Sequence, residues 1–269
     1  MLELLCRLLA KLPLHSVRRL GSLLGTLVYC ASAPTRAVVC SNLAQAQLAI
    51  HPKAVIQANV RGLLEMVWVW FNPASRVAAR CTVGDPALVA ALHSGHPTIL
   101  LTPHLGCFEA LAKWVSQQAP LTAMYRRPTK RWLAALLDAA RKTPQLTMAS
   151  ADASGVRLAL KTLKSGGLLG ILPDQVPKQG EGVWLPWFGR EAYTITLPAK
   201  LQLATQARVF VLAALPTASG WRIESYPVNV PQNLSAVALT AHLNQALEHM
   251  VRRSPQHYAW SYKRYKGQP

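Results

Sequence analysis

The sequence predicts an α/β fold: a central, largely parallel mixed sheet flanked by helices, preceded by a helical N-terminal attachment. Three observations lead there. Short apolar runs alternate with helical stretches from residue 85 onward, the pattern of strands joined by crossover helices. Nothing before residue 80 reads as a strand, so a helical part precedes the sheet. The 269 residues are 51% hydrophobic and only 15% charged, against about 25% charged in an average domain. A chain of this length and apolarity buries a large core without disulfides or metal, and intrinsic disorder is excluded.

The elements follow in order. Residues 1–12 are apolar but interrupted by Glu3, Arg7 and Lys11. No small-residue cleavage site follows, so they do not form a secretory signal. Residues 20–35 carry no charge yet contain Gly21, Gly25 and Pro34, and they fall short of the ~20 apolar residues of a spanning helix. With Arg18 and Arg19 ahead of them they suit a helix lying in an anionic leaflet; the other reading is a helix packed on the rest of the chain. Pro52 opens a helix that continues through Leu63, Leu64, Met66, Val67, Trp68 and Trp70, apolar on most sides. Glu65 within it must be paired or at a pocket edge, because an unpaired buried carboxylate is costly.

Asp85-Pro86 is a helix start, an N-cap with proline at the first position. Strands are predicted at residues 98–102, 121–125, 168–172, 209–215 and 221–228. Helices are predicted at 108–117, 130–142, 154–164, 194–205 and 235–253. Residues 173–191, with three glycines, two further prolines and the aromatics Trp184, Trp187 and Phe188, read as one long loop. Those aromatics suit either a lipid interface or a core cover. The simplest division is residues 1–34 as an apolar membrane-associating helical region and residues 35–269 as one catalytic domain.

Charge narrows the partners. Lys and Arg number 29 against 11 Asp and Glu, a net charge of +18. Strong basicity and high apolarity together suit an anionic membrane, whereas nucleic acid explains only the charge. The five cysteines, Cys6, Cys30, Cys40, Cys81 and Cys107, form no CxxC pair, and an odd number argues against a complete disulfide framework. The eight histidines show neither HxxxH nor HExxH spacing, so no metal site is expected.

The best candidate for chemistry is Thr102-Pro-His-Leu-Gly-Cys-Phe-Glu109, where an apolar strand ends and a helix begins. Open α/β sheets bind ligands at that place. His104 and Glu109 are too far around one continuous helix to share a face. A turn at Pro103 and Gly106 instead puts His104 on the loop and Glu109 in the first helical turn, where the carboxylate would orient the imidazole. No serine occupies a nucleophile elbow, so the dyad needs a hydroxyl nucleophile from the substrate. The alternative is Cys107, at the start of the helix between His104 and Glu109, as a Cys–His nucleophile that forms an acyl-enzyme. The other reading of His104 is a strand-end histidine with a purely structural hydrogen bond.

The segment resembles the H-x4-(D/E) motif of the lysophospholipid acyltransferase superfamily and, more closely, the lipid A biosynthesis acyltransferases, the late lauroyl and myristoyl transferases. The resemblance extends from about Leu12 to the C-terminus. Met124-Tyr-Arg-Arg-Pro128 is similar to the family's strand-end segment, and Leu137-Asp-Ala-Ala-Arg-Lys142 to its Arg-bearing helix end. Gly166-Gly-Leu-Leu-Gly-Ile-Leu-Pro-Asp-Gln175 resembles its Gly-Gly strand leading to Pro-Asp. Gly182-Val-Trp-Leu-Pro-Trp-Phe-Gly-Arg190 is similar to the following loop, and Trp260-Ser-Tyr-Lys-Arg-Tyr-Lys266 to the closing basic cluster. Cys107 and Phe108 stand where the family carries Asn and Trp, and Gln175 where it commonly carries His.

The resemblance implies a glycerolipid-acyltransferase-like sheet and transfer of a fatty acyl group from acyl carrier protein to a hydroxyl of a lipid A precursor. The work would take place on the cytoplasmic face of a Gram-negative inner membrane, with no metal, no bound cofactor and no nucleic acid. His104 would be the general base and Glu109 its orienting partner. Backbone N–H groups near Gly106 and the Arg141 guanidinium would meet the oxyanion or a substrate phosphate; Arg141 as a helix C-terminal cation is the other reading. Arg126 and Arg127 are candidates for gripping a phosphate, against a solvated pair. Asp174 is a substrate-side candidate that equally suits holding its loop. Arg252, Arg253, Lys263, Arg264 and Lys266 form a basic C-terminal region, either solvated or in contact with anionic lipid or carrier protein. Two alternatives remain: acylation of another lipid, such as a lysophospholipid, an ornithine lipid or a glycolipid, and a non-catalytic protein binding membrane or nucleic acid through its charge.

Overall fold

The structure, a computed structural model, describes residues 2–267. Met1, at the head of the apolar N-terminal run, and residues 268–269, at the end of the expected catalytic region, lie outside them. Helices come first: α1 (Leu2–Lys11), α2 (Leu14–Ala31), α3 (Ala33–Gln45), α4 (Pro52–Trp70) and α5 (Ala74–Ala78). Strand β1 (Cys81–Val83) and helix α6 (Pro86–Leu92) lead into the alternating part, and the Asp85 carboxylate caps α6 by accepting from Ala87 N–H at 2.9 Å. Then follow β2 (Thr98–Leu101), α7 (Phe108–Gln118), β3 (Leu121–Tyr125), α8 (Arg131–Ala140), β4 (Leu146–Ser150), α9 (Ala153–Lys164) and β5 (Leu168–Ile171). The chain closes with β6 (Gly182–Trp187), β7 (Arg190–Ile195), α10 (Leu197–Thr205), β8 (Arg208–Pro216), β9 (Trp221–Val228) and α11 (Ala236–Arg253).

Seven strands form one sheet in the order β1-β9-β8-β2-β5-β3-β4. Only the β8–β9 pair is antiparallel, so the sheet is mixed and mostly parallel, as the alternation predicts. Both faces are covered. Strand β2 sends Ile99 and Leu101 into one core and Leu100 into the other; β8 likewise divides Val209, Val211 and Ala213 from Phe210, Leu212 and Ala214. A sheet buried on both sides requires apolar residues at every position, which explains strands that read as unbroken hydrophobic runs. Helices α9, α10 and α11 close the first core and α6 and α7 the second, while α4 reaches both.

The structure corrects the loop expected at residues 173–191. That stretch contains β6, which pairs with β7 in an antiparallel hairpin whose last register pair is Trp187–Arg190. The two residues between them, Phe188 and Gly189, both have positive φ, at 49° and 76°, as a two-residue type I′ hairpin turn requires. Residues 194 and 195 belong to this hairpin rather than to the helix expected there. Strands β1 and β4 are short edge strands whose sequences carry no periodic signal of their own.

Helix α2 lies on α4 through two glycines. A Cβ at Gly21 would stand 2.6 Å from the Arg61 Cα, and one at Gly25 2.6 Å from the Gln57 Cα. The backbones touch there, so only glycine fits. The outer faces of α1 and α2 present Leu4, Leu5, Leu8, Leu20, Leu23 and Leu27 to the exterior. Among the described residues no single helix is long and apolar enough to cross a membrane; α2 and α3, bent by 97°, pass that test only as a pair.

Candidate active site

Two neighbouring parallel strands build the site. Strands β2 and β5 pair in register with Leu101 opposite Ile171. Three residues beyond that pair, on each chain, stand His104 and Asp174. Equal offsets past a registered pair bring the two side chains together at the carboxyl edge of the sheet, although 70 residues separate them. His104 Nδ1 lies 2.6 Å from Asp174 Oδ1, and the His104 backbone N–H donates to Asp174 Oδ2 at 2.8 Å. Asp174 is buried while the imidazole is partly open. Burial works to raise the Asp174 carboxyl, but the His104 charge and hydrogen bonds from its ring and backbone outweigh it and hold the group below the usual carboxylate range. An ionised Asp174 only accepts, so Nδ1 is the ring nitrogen that donates to it, and the nitrogen not engaged by the carboxylate is Nε2. The Gln175 amide Nε2 sits 3.0 Å from that nitrogen.

This overturns the expected pairing of His104 with Glu109. Glu109 faces Arg141 instead, with Nη2 at 2.5 Å and Nε at 3.1 Å from Oε1, and the guanidinium also lies over the Tyr125 ring. Arg141 at the end of α8 thus reaches back to the first turn of α7. Both residues line the same cavity as His104, a space of about 560 Å³ with apolar walls that include Met124, Met148, Val156 and Ile171.

Gly106 also does other work than expected. Its N–H donates to the His257 carbonyl at 3.1 Å, and that of Cys107 to the Ala214 carbonyl at 2.9 Å, so neither is free for an oxyanion. Gly106 has φ +66°, and a Cβ there would stand 2.2 Å from the Ala214 oxygen. The glycine lets the turn after β2 pass against β8 and so sets where His104 sits. The donors that helix geometry leaves without intrahelical acceptors are the first-turn N–H groups of α7, beginning with Phe108 and Glu109.

The bacterial lipid A biosynthesis acyltransferase family model matches residues 3–267. The chain belongs to that family. It is also similar to a lipid A biosynthesis lauroyltransferase of Escherichia coli (strain K12), at 25% identity over 213 residues, covering 77% of this chain and 69% of the relative.

The remaining expected residues of the acyltransferase divide. Arg126, at the end of β3, lines the cavity, as does Lys200 of α10. Arg127 is turned away into an exposed ion pair with Asp138 at 2.8 Å. Trp187 and Phe188 are buried in the core, whereas Trp184 lies against Tyr193 near the exterior. Arg264 is not a solvated cation: it is buried, with its guanidinium donating to the Tyr193 carbonyl at 2.7 Å and Thr194 Oγ1 at 2.8 Å. It holds the C-terminal segment against the hairpin. Glu65 is paired, as its buried position demands, by Arg18 Nε and the Trp221 indole N–H, each at 2.8 Å.

Cys107 is buried, and that burial first, then the Glu65 charge, pushes its thiol well above the usual value. A reactive thiol needs the opposite setting. Sequence reasoning missed Tyr258, whose buried phenol stands beside Asp174 and is pushed far up, by burial first and then by that charge. No local signal marks it, because its neighbour is 84 residues away in the chain. Gln175 stood out only as a departure from the family's histidine.

Proposed function

We propose that this acyltransferase moves a fatty acyl group from acyl carrier protein to a hydroxyl of a lipid A precursor, at the cytoplasmic face of the inner membrane. The observation that carries the reading is the His104 imidazole, fixed by a buried carboxylate at the wall of an apolar cavity, in a chain of this family. His104 Nε2 takes the proton of the acceptor hydroxyl while its oxygen attacks the thioester carbon. The hydroxyl takes the place of the Gln175 amide at that nitrogen. Asp174 stabilises the imidazolium that forms. The carbon–oxygen bond closes to a tetrahedral oxyanion, which the Arg141 guanidinium and the first turn of α7 stabilise. The carbon–sulfur bond then breaks, and the imidazolium returns its proton to the departing thiolate.

The cavity of about 560 Å³ is of the size that binding sites usually have, and its apolar wall suits an acyl chain. Arg126 and Lys200 at that cavity suit the anionic phosphopantetheine arm of the carrier. Glu109 acts through Arg141 by holding the guanidinium in place. The exposed leucines of α1 and α2, with the charge of +18, support attachment to an anionic bilayer by two combined forces. The decisive test is mass spectrometry of lipid A from a strain lacking this protein, together with transfer from purified acyl carrier protein. Loss of one acyl chain supports the reading. Unchanged lipid A and no transfer in vitro would sink it.

A further inference from the structure

His104 and Phe108 line two cavities, not one. The Phe108 ring stands edge-on to the imidazole, with centroids 5.3 Å apart, and the pair forms the partition. Beyond it lies a second space of about 220 Å³, bounded by α4, by the turn after β2 and by the segment around His257 and Ser261. Direct transfer without an acyl-enzyme needs donor and acceptor bound together against one base. Two cavities meeting at one imidazole meet that requirement.

Their chemistry differs. The larger space joins the apolar wall of Met124, Met148, Val156 and Ile171, which suits an acyl chain, to the charged groups Glu109, Arg126, Arg141 and Lys200 already described. The smaller carries polar groups that are incompletely used. Asn59 is fixed by its Nδ2 donating to the Tyr258 carbonyl at 2.9 Å, yet its buried Oδ1 has no hydrogen-bond partner among the described residues. A buried acceptor of this kind calls for an O–H or N–H donor. Arg61 stands 3.8 Å from Glu65, and its Nη2 lies 3.4 Å from His257 Nδ1. Burial pushes His257 down to about 4, so it brings no negative charge, and Glu65 is already committed to Arg18 and Trp221 at 2.8 Å each. The Arg61 charge is therefore only partly neutralised. Leu63, an exposed apolar residue, also lines the cavity; it lies on α4, the helix against which α2 lays its glycines.

We propose that the smaller cavity is the acceptor subsite, taking the hydroxylated, phosphate-bearing headgroup of a lipid, with Asn59 accepting from a hydroxyl and Arg61 pairing with phosphate. The donor's acyl chain occupies the larger cavity on the other side of Phe108. This assignment rests on the acyl-transfer reading above and adds which residues choose the acceptor. The lipid's chains stay along the apolar face of α2 and α4 while its headgroup turns inward.

Gly62 makes the test clean, because it lines the smaller cavity and a Cβ there meets nothing within 4 Å. Gly62→Phe adds bulk to the cavity without pushing backbone, and Val156→Phe adds bulk at the wall of the larger one. With lauroyl-acyl carrier protein and a phosphorylated glucosamine-disaccharide lipid, Gly62→Phe is expected to raise the acceptor KM at least ten-fold and to move the donor KM less than two-fold. Val156→Phe is expected to do the reverse. Arg61→Gln is expected to raise the acceptor KM about ten-fold for the phosphorylated lipid, and much less for its dephosphorylated form. Thermal unfolding of each variant checks that it is folded. A rise in donor KM with Gly62→Phe, or an acceptor KM unchanged by both Gly62→Phe and Arg61→Gln, would overturn the assignment. If the wild type acylates some other hydroxylated lipid and not the glucosamine lipid, the substrate reading fails, and the same comparisons made with that lipid still decide the cavity.

Discussion

In the proposed mechanism the His104 imidazole is the base, and the carboxylate that holds its ring is Asp174 rather than the one nearer in sequence. The two carboxylates therefore predict different couplings. His104→Ala and Asp174→Asn are each expected to lower kcat by about 10²-fold or more with modest change in KM, and the double variant to lose little beyond the worse single. Glu109→Gln is expected to be non-additive with Arg141→Gln, its own partner, and nearly additive with Asp174→Asn. A double-mutant cycle on kcat/KM measures both; strong coupling of Glu109 to His104 but not to Arg141 would restore the H-x4-E pair. Cys107 makes a separate prediction. Its buried thiol leaves direct attack as the route, so Cys107→Ala should keep most activity and initial-rate patterns should be those of a ternary complex. A radiolabelled acyl group trapped on Cys107, with activity lost in the alanine variant, would establish covalent catalysis instead.

At the scale of an element, helix propensity alone treats two glycines alike and the packing separates them. Both Gly21 in α2 and Gly62 in α4 sit inside helices, where replacing Gly by Ala usually gains about 0.5–1 kcal/mol. Gly62→Ala is expected to show that gain, since its Cβ meets open space. Gly21→Ala is expected to cost about 1–3 kcal/mol, because its Cβ falls on the Arg61 backbone and must force α2 away from α4. Denaturant or thermal unfolding reads both signs, and equal signs would mean that α2 does not pack on α4 as described. Local pattern served well where an element carries its own signal: the Asp85 cap, the uncharged run of β2 and the Pro52 start are all legible. It failed at β6, where Pro186 and three nearby glycines gave the density of a loop. The hairpin forms because Trp187 and Phe188 bury against the core, and that burial holds Phe188 at a positive φ that its side chain disfavours.

The whole molecule joins a basic exterior to an apolar helical edge. If attachment is the mixed kind proposed above, screening removes only its electrostatic part, and at 1 M salt the screening length falls to about 3 Å. Washing membranes with 1 M salt is therefore expected to leave most of the protein in the pellet and detergent to release it. Polar replacement of Leu20, Leu23 and Leu27 should make it salt-extractable. Full release of the wild type by salt would reduce the attachment to charge alone.

What the sequence by itself determined is what neighbouring residues decide among themselves: the alternation that makes an α/β sheet buried on both faces, the helical first 80 residues, the strand-to-helix turn bearing His104, and the set of motifs by which the family is recognised. The tertiary structure decided which of those motifs touch. His104 and Glu109 share one motif, yet the helix turn between them sends Glu109 to Arg141 on α8. His104 and Asp174 lie in different motifs and meet because β2 and β5 pair with Leu101 opposite Ile171. Strand order and register follow from the packing of whole faces, which no local window contains. The same reason hides Arg264: its charge reads as a surface cation, and only the fold of the C-terminal segment over the hairpin shows that its partners are a carbonyl and a hydroxyl in the interior.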